Sequence, residues 1–164
     1  MLTLAVWTED SLDLLRRCNT PAMTEHLGGP ETDVQLISRH VRYLGYLQAD
    51  PQEAWPLRVL VDGELVGSVT FWMIDGGYEL GWAICPEFQG RGYATAAVEA
   101  LLSRARAAGQ TGTFHATPAV SNIASNGVAR KAGFTLAREI DIEYPPGHPM
   151  RANDWVLELR PLTR

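Results

Sequence analysis

The chain has 164 residues, 46% of them hydrophobic and 20% charged, with a formal net charge of −5. That length fits one domain with a real core, no apolar run reaches the roughly eighteen residues of a membrane span, and the acidic balance argues against a general nucleic-acid binder, which shows a basic face. Cys18 and Cys85 make no disulfide framework, the histidines His26, His40, His115 and His148 form no ligand-spaced pair and predict no metal site, and the start MLTLAVWTEDSLDLL lacks the basic and apolar regions of a secretion signal, so a cytoplasmic location is expected.

Leu2, Leu4 and Val6 alternate with Thr3, Ala5 and Trp7, the period of a strand with one buried face. Thr8 with Glu9 and Asp10 opens a helix carried on by Leu12, Leu15 and Cys18. Residues 19–30 read as irregular, with Pro21 and the stop Gly28-Gly29-Pro30. Thr32 and Gln35 form a capping box before Val34, Ile37, Val41 and Leu44, a second helix ending near Gly45 to Leu47. A loop follows from Asp50 to Pro56. Leu57–Val61 and Glu64–Trp72 are strands joined by Asp62-Gly63, a two-residue hairpin signal. Asp75-Gly76-Gly77 turns the chain into a fourth strand, Tyr78–Ile84. Thr95–Ala107 is a strong helix with an apolar face from Ala94 to Ala105 and a stop at Gly109. A strand (Thr113–Thr117), a helix (Asn122–Lys131, ending at Gly133), a long strand (Phe134–Tyr144), a turn-rich loop (Pro145–Pro149) and a last strand (Asp154–Leu159) complete the order β-α-α-β-β-β-α-β-α-β-β. This predicts a mixed α+β fold: a central, mostly antiparallel sheet of about seven strands with helices on both faces, over residues 1–164 as one domain.

The most informative stretch runs from Cys85 to Thr95, between the fourth strand and the strongest helix. Gly90 and Gly92 bring backbone N–H groups together, and the helix start adds free N–H groups and a positive dipole end. Together they would cradle a diphosphate, although a plain glycine turn has the same sequence. The dinucleotide fingerprint and the nucleoside-triphosphate loop both fit poorly, the first for its βαβ setting and the second for its Gly-Lys-Ser/Thr end.

Gln89-Gly90-Arg91-Gly92-Tyr93-Ala94 resembles the Gln/Arg-x-x-Gly-x-Gly/Ala acyl-CoA motif of the GCN5-related N-acetyltransferases. The later Asn122-x-x-Ser125-x-x-Val128-x-x-Lys131-x-Gly133-Phe134 is similar to the helix of the ribosomal-protein N-acetyltransferase branch. The resemblance spans nearly the whole chain, Trp7-Thr8-Glu9-Asp10, Leu27-Gly28-Gly29-Pro30 and Asn153-Asp154-Trp155 included. It implies a single N-acetyltransferase domain that uses acetyl-CoA. Gln89 to Thr95, with Gly90, Arg91, Gly92, Tyr93 and Ala94 between, would hold the pyrophosphate. Trp82, Ala83 and Ile84 would line the pantetheine arm where two parallel strands splay apart. Asn122 and Ser125 would sit by the arm and the sulfur.

Direct acyl transfer needs a neutral amine, a donor for the oxyanion and a proton or positive field for the thiolate. Glu79, near the start of the fourth strand, is the candidate base, against the reading of an ordinary strand residue facing solvent; Asp141 and Glu143 are reserves. The family's usual tyrosine acid falls at Ala129, which leaves Ser125 to hydrogen-bond the sulfur. Cys85 reads as a small buried residue rather than a nucleophile, and His115 as either structural or functional. Trp72, Tyr78 and Trp82 either belong to the core or wall the acceptor site. The expected acceptor is a small-molecule amine or a peptide N-terminus, approached through residues 19–31, 45–56 and 144–153, with no nucleic acid or membrane involved. A homodimer is compatible with the family. The alternative function is a non-catalytic acyl-CoA binder of the same fold.

Overall fold

The computed structural model describes residues 1–163. Seven strands form one sheet in the order β1-β2-β3-β4-β5-β7-β6. They are β1 (Leu2–Val6), β2 (Ala54–Val61), β3 (Glu64–Ile74), β4 (Gly77–Ile84), β5 (Gly112–Ala116), β6 (Thr135–Glu143) and β7 (Pro149–Leu159). Every neighbouring pair is antiparallel except β4 and β5, which a helical crossover joins and therefore makes parallel. The helices are α1 (Leu12–Arg17), α2 (Pro21–Thr24), α3 (Asp33–Tyr46), α4 (Tyr93–Ala107) and α5 (Ile123–Lys131).

Short-range signals behave as their chemistry predicts. Asp62 and Gly63 both take positive φ, 50° and 84°, and close the β2–β3 hairpin. Thr32 and Gln35 form the reciprocal capping box at the start of α3. Three segments differ from the sequence reading by more than two residues. The segment after Asn19 contains α2, capped by Thr20, whose oxygen accepts from the Met23 N–H, with Pro21 at the first helical position. Strand β2 starts at Ala54 and runs through Pro56, where a loop is predicted. Pro56 is tolerated there because its carbonyl faces the end of β1, accepting from the Trp7 N–H at 3.3 Å. Its missing N–H lies on that same side, so the ladder to β3 loses nothing. Likewise β7 begins at Pro149, five residues before the predicted Asp154, because the β6 register carries pairing out to Glu143 opposite Pro149.

The core lies on both faces of the sheet. Leu57, Val69, Phe71, Leu80 and Phe114 share one face, against Ala97, Val98, Leu101 and Ala105 of α4, all buried. Each fully buried Val or Leu side chain contributes about 1.5–3 kcal/mol. Leu14, Leu15 and Leu36 of α1 and α3 are buried too, and Trp7 Nε1 donates to His40 Nδ1 of α3 at 3.0 Å. The strand register puts Trp7 on the same side as Ser68, Thr70 and Glu79. That side therefore holds Glu79, the carboxylate singled out in the sequence.

Candidate active site

Strands β4 and β5 touch only briefly. Among the described residues they pair at Tyr78 with Phe114 and Glu79 with His115, and nowhere further. From Gly81 to Ile84 the β4 backbone keeps its β3 partner and has no strand on its other side. The two parallel strands therefore form a wedge that opens at Glu79. The close approach at its apex depends on Gly77, where a Cβ would stand 2.3 Å from the Thr113 carbonyl oxygen.

At the wide end of the wedge lies the glycine loop. Gly90 and Gly92 have φ of 74° and 78°, and Gly92 directly precedes α4. The first helical bond there is Ala96 N–H to the Gly92 carbonyl, at 3.1 Å. The backbone N–H groups of Gly90, Arg91, Gly92, Tyr93, Ala94 and Thr95 find no acceptor among the described residues. A row of unpaired donors at a helix start can receive an anion such as a diphosphate. Gln89 works differently from its neighbours: its amide nitrogen donates to the Ile84 carbonyl at 3.0 Å and tethers the loop to the end of β4. Arg91 is exposed, donates to the Glu87 carbonyl at 3.2 Å and lies over the Phe88 ring. Thr95 is half-buried on the first turn of α4.

Trp82, Ala83 and Ile84 do line the open edge of β4, through their backbone. The Ile84 side chain is buried in the core, and that of Trp82 packs against it. Tyr78 is core as well, stacked on Phe114 with centroids 4.8 Å apart. Trp72 belongs to the other face: it is the cross-strand partner of Glu79, and its ring lies 3.8 Å from where a Gly81 Cβ would stand. Of the three aromatics, Trp72 is the one that walls the Glu79 side.

Glu79 stands at the apex. The Thr117 hydroxyl donates to its Oε1. Tyr144, just past β6, lies near Glu79, Glu31, Arg39 and Tyr43. Tyr144 is 52% exposed as a whole residue, yet desolvation of its hydroxyl, then Tyr43, push that hydroxyl above its ordinary value, while Arg39 opposes. Arg39 in turn is paired with Glu31. The predicted acceptor loops also meet: a Cβ on Gly28 would lie 3.4 Å from the His148 ring, and Ser121 Oγ lies 3.1 Å from His26 Nδ1. Segments 19–31 and 144–148 thus touch one another. The reserve carboxylates do not reach it. Asp141 is exposed on the edge strand, bonded to Arg151 at 3.0 Å, and Glu143 is exposed beside Gly147.

On α5, Asn122 is the helix cap, its side chain accepting from the Ser125 N–H at 3.1 Å. Ser125 is half-buried on the first turn. Ala129 is fully buried in the core, so the position where a tyrosine acid is expected is closed by packing. The residue that sequence reasoning missed is Asn126, whose buried side chain bonds Asn153 and Trp155 of β7. Being a polar residue on the inward face of an amphipathic helix was its one available signal.

Cys85 is buried, and its sulfur meets Cys18 at 3.4 Å rather than a histidine. The hydrogen bond with Cys85, then burial, push the Cys18 thiol well above its ordinary value. The pair is packing, not a nucleophile with its base. Cys85→Ala is therefore expected to leave kcat within about twofold and to cost about 1 kcal/mol of stability. Steady-state thiol release and denaturant unfolding check the two halves; a kcat loss beyond tenfold would require a chemical role for the sulfur.

The seven-stranded sheet has one parallel pair that splays beside a helix-capped glycine loop, the arrangement that the resemblance in sequence implies. The acetyltransferase (GNAT) domain family matches residues 1–135, and the chain belongs to that family. Its fold is similar to that of the Salmonella typhimurium acetyl transferase that modifies the N-terminal serine of a 50S ribosomal subunit protein, with a TM-score of 0.81 and 22% identity over 97% of this chain and 95% of that one. It is similar also to the Vibrio cholerae spermidine N-acetyltransferase in complex with CoA and spermine, with a TM-score of 0.78 and 17% identity over 96% and 95% of the two chains. An aminoglycoside acetyltransferase in complex with coenzyme A has a TM-score of 0.78 and 20% identity over 96% and 95%. Among curated proteins none matches the chain in sequence.

Proposed function

We propose that the chain is an acetyl-CoA-dependent N-acetyltransferase that acts on a primary amine, either a peptide N-terminus or a small polyamine-like or sugar-borne amine. The observation that carries this reading is the β4–β5 wedge, with unpaired N–H groups at its wide end and a carboxylate at its apex. Residues 90–95 would hold the diphosphate of the donor, and the open backbone edge from Gly81 to Ile84 would pair with its amide-bearing arm. The donor supplies the activated acyl carbonyl. Ser125 would hydrogen-bond the sulfur, and Asn122 keeps the start of α5 in shape to do so.

Glu79 is the group that receives the proton of the attacking nitrogen. Trp72 beside it offers an aromatic face to a cationic amine, and the net charge of −5 favours the approach of one. The similarity to enzymes of ribosomal-protein, polyamine and aminoglycoside acylation supports an amine acceptor and the ribosomal-protein-like branch. A cytoplasmic location, where acetyl-CoA and such amines coexist, is part of the proposal.

The test is calorimetry with acetyl-CoA and desacetyl CoA, followed by thiol release with spermidine and with a peptide bearing a free N-terminal serine. Saturable binding and turnover are expected. Glu79→Gln is expected to keep the dissociation constant for acetyl-CoA within twofold and to lower kcat by about 100-fold, the lower range for a general base. Binding without turnover of any amine would favour the non-catalytic acyl-CoA binder, a reading that draws on the closed Ala129 position. No binding at all would sink both.

A further inference from the structure

Strand β5 brings a histidine to the apex carboxylate. His115 is the register partner of Glu79, so both side chains leave the sheet on the same face, from strands about 4.8 Å apart. His115 Nδ1 lies 2.8 Å from Asp154 Oδ1 of β7, and the Asp154 side chain is 7% exposed. The other Asp154 oxygen faces Arg138 Nε of β6 at 3.6 Å. A carboxylate accepts hydrogen bonds and does not donate them. It therefore keeps the ring proton on Nδ1 and leaves Nε2 with its lone pair. The ring itself is 26% exposed, so it is neither sealed in the core nor free in solvent. Thr117, one residue past the end of β5, donates to Glu79. Strand β5 and the residue just past it thus supply both the imidazole beside the carboxylate and the hydroxyl that positions it.

This arrangement answers a chemical difficulty. A carboxylate that takes a proton from the attacking nitrogen must pass it on before the next turnover, and an imidazole with a free ring nitrogen beside it is a group that can receive it. We propose that Asp154 and His115 complete the base: Glu79 receives the proton of the acceptor nitrogen, and His115 Nε2 takes it over as an imidazolium held by Asp154. The inference rests on the acyltransferase reading of the wedge. In the full step the nitrogen lone pair forms the C–N bond, and the C–S bond breaks with its pair going to sulfur. One N–H proton passes through Glu79 to His115 and then to solvent. The charged and titratable groups around the ring are Glu79 on β4, Asp154 and Glu158 on β7 and Arg138 on β6. Thr113 holds Glu158 at 2.8 Å, and Tyr144, Tyr43 and the Arg39–Glu31 pair lie beyond Glu79.

The informative variant is His115→Asn, whose amide nitrogen still donates to Asp154 but cannot accept the proton; His115→Gln is the second, should the first fold poorly. With acetyl-CoA and spermidine or the N-terminal-serine peptide, kcat is expected to fall at least tenfold and KM for acetyl-CoA to stay within twofold. The acidic limb of the native pH–rate profile is expected to be displaced or lost. A native profile and a kcat within twofold would reduce His115 to a strand-pairing residue. The nitrogen-15 spectrum of the native imidazole adds a readout that needs no acceptor: the neutral ring should carry its proton on Nδ1. The opposite tautomer would overturn the relay and leave the acyltransferase reading untouched, whereas failure of acetyl-CoA to bind would overturn both.

Discussion

Replacing Gly92 by aspartate is expected to weaken acetyl-CoA binding by at least about 100-fold, roughly 2.7 kcal/mol, in a chain that still folds. Two effects combine. Gly92 sits at φ 78° before α4, a conformation that costs an ordinary residue about 1–2 kcal/mol and aspartate somewhat less. The new carboxylate would also stand among the unpaired N–H groups of residues 90–95, satisfying some of them and repelling the diphosphate they are arranged to receive. No protein atom lies within 4 Å of a Cβ at Gly92, so the fold itself has no steric reason to fail. Gly92→Asn separates the two causes, because asparagine tolerates the backbone and carries no charge. Calorimetry should rank native, asparagine and aspartate in that order of affinity. Native affinity in the aspartate variant would mean that the diphosphate is not held by this loop.

The second large effect is on stability. Asn126, 7% exposed, is a four-way junction. Its Oδ1 accepts from Trp155 Nε1 at 2.8 Å and from Asn153 Nδ2 at 2.9 Å. Its Nδ2 donates to the carbonyls of Ala119 at 2.9 Å and Asn122 at 2.7 Å. Truncation to alanine removes all four bonds and strands buried donors on β7. Each unsatisfied buried group costs about 1–3 kcal/mol, and partial relaxation brings the expected loss to about 3–5 kcal/mol. For a domain of this size that lowers the melting temperature by about 10 °C. Denaturant and thermal unfolding measure it. A loss below about 1 kcal/mol would show that water takes over the junction. Acyl transfer by the surviving folded fraction should also fall, because this junction ties α5, with Asn122 and Ser125, to the sheet.

Much of the framework was legible in the chain. The Asp62-Gly63 turn, the Thr32–Gln35 box and the apolar stripe of α4 are local: the residues that make each signal lie within a few positions of one another, and their conformations are decided by sterics and short hydrogen bonds. The glycine loop was legible for the same reason, since Gly90, Gly92 and the start of α4 are contiguous. The misread boundaries have physical explanations. Thr20-Pro21 is a helix start too short to show periodicity, and Pro56 stays in its strand because its missing donor faces the end of β1 rather than β3. Strand β7 extends back to Pro149 because β6, a distant segment, supplies the ladder.

What the sequence determined by itself was therefore the family-like order of elements and the glycine turn before α4, while Glu79 entered only as a candidate. The tertiary structure decided which groups stand around that carboxylate. His115 and Asp154 are 39 positions apart, Thr117 and Glu79 38, and Cys18 and Cys85 67. No short-range pattern brings such residues together; strand register does. A slip of one residue between β4 and β5 would turn His115 to the opposite face and leave Glu79 with neither imidazole nor hydroxyl. The surroundings of Glu79 are thus set by the short parallel pairing at the apex of the wedge, between strands that α4 separates in the chain and that only the folded sheet brings together.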